Sequence, residues 1–349
     1  MAPTSTQPPT STESTPPACI TVPPEGKYRY IPPEACNANW AYAPSYPAAV
    51  AISVIFVIIT VAHIVLAIRF RKGFSWVMIM GASWELVAFI TRALGAHQQD
   101  SQPLAYTSSL LFLLAPLWIN AYIYMTAGRL IWTYHPEKKI WFFKAISIGE
   151  YFVWLDILSF LVQGAGGSML SPGSDAETMN RGKNIYMTGI GVQEFFILLF
   201  SALVIKFMLD VRRFQGSSIG YFGARWQWVT YAVLVSLVLI TIRIIFRIAE
   251  FSAGTDISNP LPYHEGYALG LDAVPMILAT GVLAILHPGL ALKGPESEFP
   301  SRKERKAEKK RIKAEKKADK IVRKGLREDR GGYREMDPSS SSNVELSRV

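Results

Sequence analysis

Seven apolar stretches decide what this chain can fold into, because each is close to the roughly 20 residues an α-helix needs to cross about 30 Å of hydrocarbon. They occupy residues 46–68, 74–94, 106–132, 145–164, 185–208, 226–248 and 267–286. Buried helices of a large soluble protein are the alternative, and seven spans of this length joined by such short connections argue against it. Half of the 349 residues are hydrophobic and only 18% are charged. The expected fold is an all-α membrane protein, a bundle of seven transmembrane helices. The expected organisation is an extracytosolic Pro/Ser/Thr-rich tail over residues 1–45, a transmembrane domain over 46–290 and a basic cytosolic tail over 291–349.

The connections set the expected orientation. The first, third and fifth carry Arg69, Arg71, Lys72, Lys138, Lys139, Lys144, Arg212, Arg213 and Arg225. The other side has only Lys27, Arg29, Arg181 and Lys183. Lysine and arginine accumulate on the cytosolic side, which places the N-terminus outside and the C-terminus inside. Residues 291–349 hold 18 Lys+Arg against 11 Asp+Glu, a net +7 of the chain's +9. The basic pI is therefore a property of one tail. Anionic lipid beside a tethered tail is its expected partner, and no nucleic acid is expected. After HPGLALKGP breaks the last apolar stretch, Ser301 and Glu304 have the spacing of a capping box opening a Lys/Arg/Glu/Ala helix. Its apolar positions, such as Ile312, Ile321 and Leu326, are too sparse for a coiled coil.

The first residues show no basic region followed by an apolar one, so no cleaved signal peptide is expected. Cys19 and Cys36, the two cysteines, both precede the first stretch. They form either one disulfide closing a short loop or two free thiols, and spacing does not choose between these.

Ionisable and amide side chains within the stretches carry the functional signal. A charge near the bilayer centre costs on the order of 3 kcal/mol, so such groups face a bundle interior or a water-filled cavity. Glu85 and Asp156 fall at the middle of the second and fourth stretches, and Asn120 near the middle of the third, four residues after Pro116. Gln193 and Glu194 lie slightly outward of the middle of the fifth. Arg243, Arg247 and Glu250 occupy the outer end of the sixth, and Asp272 the outer third of the seventh, with Glu265 just above. Glu85 and Arg92, Asp156 and Gln163, Arg243 and Glu250, and Glu265 and Asp272 are each seven apart, about two helical turns. Four helices thus carry polar stripes directed to the outer surface, and turning these inward makes a polar cavity in the outer half of the bilayer. A second reading pairs Arg92, Arg243 and Arg247 with acidic neighbours only to fix helix packing. Glu250 and Glu265 fit it best, Glu85 and Asp156 least.

Several chemistries lack their residues. No G-x-x-x-x-G-K-[ST] phosphate loop and no His-Glu-x-x-His occur, and His63, His97, His135, His264 and His287 are scattered over different elements. The seventh stretch has no lysine for a retinal-type Schiff base. No metal, no cofactor and no enzymatic activity are expected. Gly164, Gly166 and Gly167 are expected to form a tight turn after the fourth stretch.

WELVAFITR (Glu85, Arg92), LLAPLWINAYIYMTAGR (Pro116, Ala121, Tyr124, Gly128, Arg129), Asp156 with QGAGG, Gln193, and the blocks RIIFRIAEFSAG, HEGYALGLDAVPM and HPG together resemble the fungal RTA-like, or lipid-translocating exporter, family. The resemblance covers roughly residues 46–289. It departs at Ala88 and Phe89, where the family often has Gly-Tyr. It implies export of, or resistance to, amphiphiles such as sphingoid bases, sterol analogues or porphyrins, with the plasma membrane the expected location. A seven-helix receptor or lipid-stress sensor, which binds such a molecule without moving it, is the alternative class.

Overall fold

A computed structural model describes residues 20–32, 35, 37–170, 175–215, 225–252, 260–300 and 302–332. Cys19, Cys36, Ser301 and the Ser-rich end lie outside the described residues, and so does the question of a disulfide. The chain divides into two compact units after Ser297.

In the first unit every expected apolar stretch is helical. An apolar surround offers no partner to backbone N–H and C=O groups, so a segment buried in one must pair them internally. The helices are α1 (Tyr46–Phe70), α2 (Trp76–His97), α3 (Gln102–Tyr134), α4 (Ala145–Ser168), α5 (Ala176–Gln215) and α6 (Arg225–Ser252). The seventh crossing comprises α7 (Glu265–Ala268), a π-helical turn (Leu269–Ala273) and α8 (Val274–Ile285). All seven crossings are long and apolar enough to span a membrane. Pro275 explains the wider turn, since without an N–H it cannot donate to the Leu271 carbonyl.

Several boundaries differ from the sequence reading, and two of the differences, in α5 and in the glycine run of α4, change how the helices meet. At 40 residues, α5 far exceeds the expected 185–208 and takes in Arg181, Lys183, Arg212 and Arg213. Hydropathy marks the apolar part of a helix, not the place where its hydrogen bonds stop. Asp175 caps the added N-terminal turns, accepting the Thr178 backbone N–H at 2.9 Å and its hydroxyl at 2.7 Å. Those bonds hold the exposed Asp175 carboxyl below the usual carboxylate range. The second difference is the glycine run. Gly164, Gly166 and Gly167 are not a turn but the last turns of α4. A Cβ on Gly166 would stand 2.4 Å from the Tyr186 amide nitrogen and 2.7 Å from the Gly182 carbonyl oxygen. Glycine is needed here for close backbone approach between α4 and α5, not for a turn.

Consecutive helices pack side by side, and α8 returns to α1. Inside, Tyr124, Phe152 and Phe200 form an aromatic knot, with the Tyr124 and Phe200 ring centroids 4.4 Å apart. Phe89 stacks on Phe56 and meets Phe112 edge-on. Large apolar side chains such as Ile58, Trp154, Phe195 and Ile285 point outwards. At the face opposite the N-terminal segment, the Tyr134 hydroxyl donates to the Ala291 carbonyl at 2.8 Å and Lys72 to the Ser297 hydroxyl at 2.9 Å.

The second unit contains the expected charged helix, α9 (Arg302–Gly332), with Ile312 and Ile321 exposed.

Candidate functional site

The ends of α2 and α6, the starts of α3, α5 and the seventh crossing, and the segment before α1 surround a cavity of about 320 Å³ at the N-terminal face. Its charged lining is Arg92, Arg247, Glu250 and Asp272.

These four side chains belong to two charge clusters. In the first, Asp272 on the π-helical turn receives two guanidinium groups: Arg243 Nε reaches Oδ1, and Arg247 Nη2 lies 2.6 Å from Oδ2. Arg247 also donates to Glu250 Oε2 at 3.2 Å. The third partner is a backbone carbonyl, for Arg243 Nη2 donates to Phe112 O at 3.2 Å. The Phe112 ring lies 5.5 Å from both guanidinium carbons, within cation–π range. In the second cluster, Arg92 pairs with Glu265 Oε1 at 3.3 Å and bonds the Tyr42 hydroxyl. The other Glu265 oxygen accepts the Ser45 backbone N–H at 2.8 Å, tying the pre-helical segment to the seventh crossing. Trp40 and Tyr42 present their rings to Arg92. Burial pushes the Tyr42 phenol above its ordinary pKa, so it stays a neutral hydroxyl.

Glu85 lies deeper and is completely buried, and neither of its carboxyl oxygens has a hydrogen-bond partner among the described residues. Leaving a buried polar group unmade costs about 1–3 kcal/mol, so packing gives no account of this side chain.

The remaining residues form separate pairs. Asp156 accepts from Asn120 Nδ2 and from the Tyr124 hydroxyl, both at 2.9 Å and both on Oδ2, which joins α4 to α3. Gln163 donates to Gln193 Oε1 at 2.8 Å between α4 and α5. These amides, with Arg243 and Arg247, line a pocket of about 30 Å³ below the main cavity. Glu194 is buried on α5 and lines neither space.

The predicted residues therefore divide. Arg92 and Glu265 come together, as do Arg243, Arg247, Glu250 and Asp272, while Asp156 with Asn120, and Glu194, stand apart. The sequence reading missed Trp40, Tyr42, Phe112 and Tyr186 as cavity residues. Aromatic side chains in or beside an apolar stretch look like any other membrane-facing ring, and only the packing shows which of them line the cavity.

Comparison with known proteins places these residues in a family. The model of the family described as RTA1 like protein matches residues 78–295, which include both clusters' side chains from Arg92 to Asp272. The chain is 41% identical over 304 residues to the probable lipid transporter atnI of Emericella nidulans, covering 84% of this chain and 79% of that protein. It is 32% identical over 200 residues to protoporphyrin uptake protein 1 of Saccharomyces cerevisiae, covering 57% and 63%. It is 24% identical over 302 residues to the sphingoid long-chain base transporter RSB1 of the same yeast, covering 76% and 78%. No solved structure matches the chain. Seven apolar crossings and the family match together make this chain an integral, multi-pass membrane protein belonging to the RTA1-like family.

Proposed function

We propose that this protein moves, or controls the movement of, an amphiphilic molecule between the membrane and the polar cavity at its N-terminal face, and so confers resistance to such compounds. The observation carrying this reading is a cavity of about 320 Å³ with four charged side chains in its lining, inside a bundle of apolar helices. Charges buried only to fix packing do not need open space beside them, whereas a head group does. The names of the relatives, a lipid transporter, a porphyrin uptake protein and a long-chain base transporter, favour transport over catalysis. In this reading a cationic head group exchanges onto Asp272, Glu250 and then Glu85, and its alkyl tail stays among apolar side chains. Glu85, with no hydrogen-bond partner among the described residues, is the carboxyl best placed to take up a head group or a coupling proton. The basic asymmetry of the connections supports a topology with this face and the 1–45 tail outside the cytosol and the 291–349 tail inside it, and the resemblance to lipid-translocating exporters favours the plasma membrane over the vacuole or another endomembrane.

The test is flux of a long-chain amine through purified protein in liposomes, expressed per folded molecule. Glu85→Gln is expected to lower flux at least tenfold with an unchanged amount of folded protein. Full specific activity in this variant overturns the role of Glu85. Saturable binding without any flux in the unmodified protein identifies a sensor instead.

A further inference from the structure

A second recess lies on the other half of the bundle and shares no lining residue with the polar cavity. It is a groove of about 530 Å³, with α3 as its floor and α2 and α4, which each pack on α3, as its banks. Its volume falls within the roughly 300–1,000 Å³ of small-molecule sites. Val77, in the first turn of α2, and Gly149, in the second turn of α4, mark one end. Asp156 and Ile157, midway along α4, mark the other. The groove thus runs about 12 Å along α4, close to the depth of one leaflet of a hydrocarbon core about 30 Å thick.

Its walls are aromatic. Trp118 meets Trp76 and Trp84 edge-on, with ring centroids 5.4 and 5.6 Å away, and Trp154 stands exposed on the opposite bank. Small side chains make the space, since Ala121 forms part of the floor and Gly149 part of the α4 bank. The two charged residues in the lining are both acidic: exposed Glu150 towards the end of the bundle and Asp156 at mid-depth. Asp156 is 2% exposed, and while its Oδ2 takes both Asn120 and Tyr124, its Oδ1 has no hydrogen-bond partner among the described residues. An aromatic, apolar channel with carboxyl groups at its mouth and its deep end selects a cation carried on a hydrocarbon chain.

We propose that the α2–α3–α4 groove is a lateral loading site for a single-chain amphiphile with an ammonium head, drawn from the leaflet at the face opposite the cavity. Glu150 receives the head at the membrane boundary and Asp156 Oδ1 receives it at mid-depth, with the chain held against Trp84, Trp118 and Trp154. The inference rests on the transport reading above, to which it adds the site in the second leaflet.

Bromoalkyl quenching of tryptophan fluorescence in nanodiscs tests it, using a brominated long-chain amine and the neutral alcohol of the same length. The expected result is saturable quenching by the amine at a concentration at least tenfold lower than by the alcohol. Asp156→Asn should cut that preference to about threefold or less, and Ala121→Phe, which fills the floor, should abolish saturable quenching. Should Ala121→Phe fail to fold, Trp154→Ala removes one bank from an exposed position and is expected to weaken amine binding at least threefold. Equal quenching by both probes, indifferent to Asp156→Asn, identifies ordinary surrounding lipid and overturns the proposal. Because quenching is read without transport, a protein that binds here but moves nothing would overturn the transport reading alone. A protein that moves amine without groove-dependent quenching would overturn the loading site alone.

Discussion

Arg243 donates to the carbonyl of Phe112, and that carbonyl is open to it because Pro116, four residues on in α3, has no N–H to fill it. A proline within a membrane helix thus creates an acceptor at the depth where an arginine needs one. Pro116→Ala supplies the missing amide, which competes with Arg243 for Phe112 O. The protein is expected to stay folded, since alanine favours helix by about 3 kcal/mol over proline, while amphiphile flux per molecule falls several-fold. Unchanged flux would separate this acceptor from function.

Asp272 is shared by two guanidinium groups, so it should be the costliest member of its cluster to neutralise. Removing one partner of a buried pair costs about 3–5 kcal/mol, because the charge left behind is uncompensated. Asp272→Asn should therefore lower thermal stability in detergent more than Arg243→Leu, which leaves Arg247 on the carboxylate. The double variant should lose less than the sum of the two single losses, with a coupling of about 0.5–3 kcal/mol. Strict additivity would contradict the ion pair.

Neighbouring glycines on α4 should behave oppositely. A Cβ on Gly166 runs into the backbone of α5, whereas one on Gly164 meets nothing within 4 Å. Gly166→Ala is expected to lower the melting temperature clearly, and Gly164→Ala to stay within about 0.5 kcal/mol of the parent. Thermal unfolding of the two purified variants decides this.

Orientation is open to labelling. Single cysteines at Ser101 and Ser341, in a background lacking Cys19 and Cys36, should react differently with an impermeant maleimide on intact cells. Ser101, between α2 and α3, is expected to label, and Ser341 only after permeabilisation. The reverse pattern inverts the topology.

The peptide 301–330 should bind phosphatidylserine vesicles and be released by rising salt, since each Lys or Arg near an anionic surface contributes about 1 kcal/mol and is screened by salt. Salt-insensitive binding would point to a protein partner instead.

How much of this was readable beforehand depends on the distance over which each property is set. Helix existence and number are local: an apolar run such as 46–68 has no way to satisfy its backbone in hydrocarbon except as a helix, and α1 indeed spans Tyr46–Phe70. Glu85, Arg92, Arg243 and Asp272 could be singled out from sequence because a charge inside an apolar run is costly wherever the run packs. Spacing of seven residues within one helix, however, says nothing about partners on another. Glu85 was grouped with Arg92 on one stripe, yet Arg92 turned to Glu265 and Tyr42, 173 and 50 residues away in the chain. Gly166 read as a turn because a glycine's absent side chain serves a bend and a close helix crossing equally well, and only the presence of Tyr186 against it distinguishes them. The sequence by itself determined the seven crossings and which polar side chains they bury. The tertiary structure alone decided which charges meet and where space is left between helices, because both depend on the rotation and approach of helices that the chain's local chemistry leaves free.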